Sequence, residues 1–190
     1  MDEFIHIRVL LGIVFGLALT HLLKGSVSLI ESSRREKAYW LHLCWAAYIF
    51  LLIIHFWWWE FALIKVRDWD FIDFFNVVLY TTLFYVIATI LFPDSLEPHP
   101  DYREYFYDRK KWFFTLLACT SVLDIFDTLL NGDEHIARIG SGYFVGIAVQ
   151  IAACVTGIFT GNHRFHIILL TGFFLYRLFL IYKTYYWISI

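Results

Sequence analysis

WFFTLLACTSVLDIFDTLLN, residues Trp112–Asn131, has the length and apolar content of a membrane-spanning helix, yet Asp124 and Asp127 lie well inside it. Thr120, Asp124, Asp127 and Asn131 recur at i, i+4, i+7 and i+11, which puts all four on one helical face. Carboxylates at membrane depth are costly, and they normally face a bundle interior or a wet cavity. The rest of the chain is therefore read as what surrounds and neutralises this stripe.

The chain has 190 residues, of which 60% are hydrophobic, and a mean hydropathy of +0.63. A soluble domain is usually about 45–50% apolar, and here the apolar residues also come in long blocks. A span needs about 20 mostly apolar residues. Six such blocks fit, at about 4–30, 39–63, 70–92, 112–131, 136–161 and 165–187. The expected fold is all-α: one transmembrane domain over residues 1–190, six helices in a compact bundle. The N-terminal MDEFIHIR lacks the positive start of a signal peptide, and its apolar run exceeds an h-region, so it is read as the first span. A net charge of −2 without a basic face argues against nucleic acid as a partner. Cys44, Cys119 and Cys154 are odd in number, lie inside spans and form no CxxC, so they read as small packing residues.

Outward from the opening stretch, the spans carry few polar residues, and each has a place. In span 1, Gly12 and Gly16 with Thr20 make a line of small residues that admits a close helix. Span 2 places Trp45, Tyr48, Leu52, His55 and Trp59 along one side and ends in HFWWWEF, residues 55–61. Trp favours the membrane–water boundary, so Trp57–Trp59 mark an interface with Glu60 at its edge. Span 3 opens with Asp73, Asn76 and Tyr80 on one face, and Pro93, Pro98 and Pro100 follow its end. That proline segment divides the chain into two halves of three spans. The halves would be inverted in topology, although no convincing residue matches relate them. DYREYFYDRKK, residues 101–111, is either an interfacial helix or the solvated start of span 4.

Span 5 has the cleanest periodicity. Gly142, Gly146, Gln150, Ala153, Gly157 and Gly161 are separated by 4, 4, 3, 4 and 4 residues. Such a line makes a close helix contact, inside the chain or in a homo-oligomer or with a partner membrane subunit, and Gln150 needs a hydrogen-bond partner. Span 6 contains Arg177, which should snorkel or pair with an acid.

Two connections are basic, one with Arg34, Arg35 and Lys37 and one with Arg103, Arg109, Lys110 and Lys111. The positive-inside rule makes their side cytoplasmic and puts both termini on the non-cytoplasmic side of a cell membrane. Depth does not depend on that orientation. At about 1.5 Å per residue, Asp124 lies roughly 18 Å and Asp127 roughly 22 Å beyond Trp112. Both fall in the half away from the basic connections. Arg177 and His55 reach similar depths, with Asp73 and Glu60 nearer the boundary on the same side. Arg177 is expected to pair with Asp124, Asp127 or both, leaving negative charge for a proton or cation to balance.

Matched acid, His and Arg groups are what a proton relay or a cation site needs, so a small proton or cation channel or transporter is the leading reading. An accessory, assembly or sensor subunit that works through helix packing shares every feature named so far. A haem-binding redox subunit is a third reading: His42 and His55 are 13 residues apart, and His6 and His21 are 15 apart. Their depths do not match, so haem b is not the favoured cofactor. No HExxH or GxSxG appears, and His163 with His166 supplies two metal ligands at most. Neither a catalytic residue nor a metal site is assigned.

Overall fold

A computed structural model describes residues 2–30, 38–63, 71–130, 136 and 140–183, without the side chains of residues 2–5 and 59–63. Among them six helices follow in order: α1 (Asp2–Ile30), α2 (Trp40–Leu63), α3 (Phe71–Leu91), α4 (Tyr102–Leu130), α5 (Ser141–Phe159) and α6 (His163–Tyr182). Each is long and apolar enough to cross a membrane, and the described residues contain no strand. The chain is a multi-pass membrane protein. α3 lies between α1 and α4, α5 packs on α4, and α2 touches α1, α3, α4 and α6. α2 is thus the central helix.

The fourth helix starts earlier than residue 112. Asp101 Oδ1 accepts the backbone N–H of Arg103 at 3.0 Å and of Glu104 at 2.9 Å, a side-chain cap that starts α4 at Tyr102. DYREYFYDRKK is therefore the first part of α4, and a separate interfacial helix does not occur. At about 1.5 Å per residue a helix of 29 residues is roughly 43 Å long, so its charged first turns extend beyond a core of about 30 Å. At the other connection Gly140 takes φ 79° just before α5, a left-handed conformation that a residue without Cβ adopts readily.

Pro93 stops α3, and the last turn of a helix leaves carbonyls without intrahelical partners. Three other helices supply those partners. Tyr105 of α4 donates its hydroxyl to Ile90 O at 2.6 Å. His42 of α2 donates from Nε2 to Leu91 O, and His21 of α1 from Nε2 to Phe92 O, both at 2.7 Å. A carbonyl only accepts, so the proton of each ring sits on Nε2. The end of α5 is treated alike: Thr160 O accepts from His166 Nε2 at 2.9 Å and also from Lys110 Nζ. Just before α2, Tyr39 bonds His163 Nδ1 at 2.6 Å. Burial, with the Tyr107 hydroxyl 3.5 Å away, holds the Tyr39 phenol above its ordinary range, so Tyr39 is the donor. The histidines of this end therefore act as caps and braces.

One layer deeper, Trp45 is fully buried among Tyr48, Phe113, Phe114 and Phe173, with ring centroids 5.2–5.8 Å apart. These near-perpendicular aromatic pairs join α2, α4 and α6. Along α2 the order is His42, Trp45, Tyr48, His55, so this layer separates the histidine-rich end from the acidic half.

Replacing His42 by Leu leaves Leu91 O buried without its donor. A loss of about 1–3 kcal/mol is expected, read as a lower midpoint of thermal unfolding in detergent. His42→Gln, which keeps an N–H donor, recovers part of it.

Candidate site in the acidic half of the bundle

Asp124 is the hub. Its carboxylate Oδ2 accepts from the Tyr143 hydroxyl at 2.9 Å, and its backbone carbonyl lies 3.0 Å from the same hydroxyl. With its proton committed to Asp124, Tyr143 must accept at its oxygen. Thr128 Oγ1, 2.7 Å away, is then the donor. A directed chain runs from Thr128 through Tyr143 to Asp124 and ties α5 to α4. The register that allows it is simple: Thr128 is two residues before the end of α4, and Tyr143 two residues after the start of α5.

Asp127, one helical turn further, accepts from Asn76 Nδ2 of α3 at 3.5 Å, a weak hydrogen bond. Asp124 and Asp73 are its electrostatic neighbours. Three of the four carboxylates named from the sequence, Asp124, Asp127 and Asp73, thus share one region, the last brought in with Asn76 by α3.

Arg177 enters from α6. Its guanidinium lies beside the Tyr48 hydroxyl of α2 and within electrostatic reach of Asp124, with Tyr80 also near. Its Nε is buried without a hydrogen-bond partner among the described residues. Arg177 and Asp124 do not form the direct ion pair expected from their depths, since no N–O approach within 4.0 Å joins them. Arg177 instead lies beside a neutral phenol and faces Asp124 through space. His55 of α2 lies within the field of Arg177. The side chain of Glu60, and Asn131, lie outside the described residues.

Four phenols therefore complete the site: Tyr48, Tyr80, Tyr143 and Tyr176. Tyr80 lies in the field of Asp124, Asp127, Arg177 and Tyr143, and Tyr176 in that of Arg177 and Asp124. Tyr48 and Tyr80 stood on the polar lines of their helices, whereas Tyr143 and Tyr176 carried no periodic signal. The one available clue to Tyr143 was its height, equal to that of Thr128 across the connection.

The small-residue lines divide. A Cβ added at Gly146 would meet the Tyr176 hydroxyl, and one at Gly157 would meet Phe114 and Leu169, so these glycines make room for neighbours. Gln150 Nε2 donates to Ser121 Oγ at 2.8 Å, the partner its depth required, and Ala153 packs against the core. No described atom comes within 4 Å of an added Cβ at Gly12, Gly16, Gly142 or Gly161. Among the described residues, then, only the middle of the span 5 line is a close contact. Thr120 bonds its own helix, at Leu117 O.

The arrangement offers carboxylate oxygens, hydroxyls, an imidazole and one fixed positive charge at one level of an apolar bundle. It can hold or pass a proton or small cation, and it can equally fix helix positions. Compared with known protein families, curated proteins and solved structures, the chain matches none.

Tyr143→Phe removes the donor to Asp124 and the acceptor of Thr128. Unfolding free energy should fall by about 1–3 kcal/mol, the cost of leaving buried polar groups unsatisfied. Thr128→Val should cost less, because the bond from Tyr143 to Asp124 survives. Thermal unfolding of the two variants in one detergent checks the order.

Proposed function

We propose that this protein moves protons or small cations across the membrane through the acidic half of the bundle, with Asp124 and Asp127 as the groups that take up the ion. The observation that carries this reading is the grouping of acids in an apolar bundle. Asp124 and Asp73 are electrostatic neighbours of Asp127, and Arg177 is a cation near Asp124. Neighbouring carboxylates in a low-dielectric interior favour an exchangeable proton or a bound cation between them. Exchange of that charge with the two aqueous sides is transport.

The roles follow from position. The chain from Thr128 through Tyr143 keeps Asp124 oriented and supported as an acceptor. Asp127, one turn closer to the end of α4, exchanges the proton or cation, because Asp73 and Asn76 give it polar neighbours on the side of that end. Arg177 sets the affinity of the site, since its charge opposes a second cation. His55, next to Arg177 on the central helix, continues the polar path towards Tyr48. The aromatic layer around Trp45 is the barrier that a moving ion has to pass on the other side.

A packing role is the second reading, favoured by the chain of bonds that ties α5 to α4 through Tyr143. Here the site holds the helices of an accessory or assembly subunit in place and moves nothing.

Proteoliposomes containing a pH-sensitive dye separate the two. Under an imposed potential, the wild-type protein should carry protons or a monovalent cation, and Asp124→Asn and Asp127→Asn should reduce flux to that of protein-free vesicles. Wild-type flux unchanged in both variants sinks the transport reading. No wild-type flux, together with lowered thermal stability in the variants, establishes the packing role.

A further inference from the structure

The histidine-rich end holds a cavity that the acidic site does not use. It lies where the connection between α3 and α4 meets the first turns of α4, and its volume is about 330 Å³. That is within the range of small-ligand pockets, roughly 300–1,000 Å³. Ile90, Pro93, Glu97, His99, Arg109 and Trp112 line it, among others.

Its walls are of three kinds. Ile90 lies in the last turn of α3, Pro93 follows that helix, and the indole of Trp112 is 61% exposed on the outer surface of α4. These form an apolar side at the level where the basic run Arg109–Lys111 gives way to the apolar part of α4, the position of a membrane boundary. Arg109 forms the second wall. Asp108 Oδ2 lies 3.4 Å from Arg109 Nε and 3.3 Å from His99 Nε2, so it steadies the arginine through Nε and leaves the terminal nitrogens to face a ligand. The third wall is the carboxylate of Glu97, whose backbone N–H is held by Ser95 Oγ at 3.2 Å.

We propose that this cavity binds the headgroup of a zwitterionic aminophospholipid, a phosphodiester carrying a primary ammonium. Arg109 takes the phosphate, for which its planar fork is suited. Glu97 takes the ammonium. Trp112 and Ile90 lie along the glycerol and the first acyl carbons. A purely anionic headgroup fits less well, because Arg109 is accompanied by the carboxylates of both Glu97 and Asp108. A trimethylated headgroup lacks the N–H donors that a carboxylate accepts.

Native mass spectrometry of the full chain in detergent tests this with three lipids of identical acyl chains: phosphatidylethanolamine, phosphatidylcholine and phosphatidylglycerol. Soluble glycerophosphoethanolamine serves as a chain-free control. The ethanolamine lipid should bind at least about tenfold more tightly than the other two, the minimum that one charge-assisted hydrogen bond supplies. Glu97→Gln should remove that preference, and Arg109→Ala should weaken all three lipids. Both side chains are at the surface, so neither variant threatens folding. Equal binding of the three lipids overturns the proposal, as does preference for phosphatidylglycerol or a preference that survives Glu97→Gln. Equal affinity for glycerophosphoethanolamine and the lipid overturns the lipid assignment in favour of a soluble phosphate ester.

Discussion

A helix that ends within reach of hydrocarbon must have its last carbonyls satisfied by protein, because no water is there to do it. The end of α3 meets that requirement with Tyr105, His42 and His21, one side chain from each of three neighbouring helices. This capping cluster fixes the height and rotation of α1, α2 and α4 around α3 in one step. The end of α5, held by His166 and Lys110, adds α6 and locks α4 a second time. These bonds are short and directional, whereas apolar helices in lipid gain little from simple burial against one another.

The acidic site at the other end depends on that anchoring. Asn76 reaches Asp127, and Tyr143 reaches Asp124, only if α3, α4 and α5 keep their heights to within a fraction of a turn. Between the two ends, Trp45 and its aromatic neighbours fill the bundle and exclude water. The molecule is thus polar at both ends of its interior and dry in the middle. Charges at the acidic end interact strongly for that reason.

The two ends also differ in what their histidines do. At the basic end one ring nitrogen of each of His21, His42, His163 and His166 is engaged with a carbonyl or a phenol, so their presence reflects helix termination more than chemistry. His55, by contrast, lies near the charged groups of the acidic half. From the sequence alone, His21 and His42 could be weighed only as packing residues or haem ligands. The role they have is visible once Pro93 is known to end α3 beside them.

Several properties could be read directly from the chain. Six apolar runs of sufficient length made the membrane class and helix count legible, and the constant rise of a helix placed Asp124, Asp127, Asp73, His55 and Arg177 in one half of the bundle. Both are local properties, set by run length and residue spacing. Which of those groups meet is a question of rotation about each helix axis. Spans apolar on nearly every side carry little periodic information about rotation. Only the tertiary structure could therefore decide that Arg177 lies beside Tyr48, that Tyr143 completes the Asp124 site, that Asp101 begins α4 early, and that Gly12 and Gly16 meet no other helix among the described residues. These outcomes rest on side chains from segments far apart in sequence, and the closest-packed arrangement of all six helices selects them together.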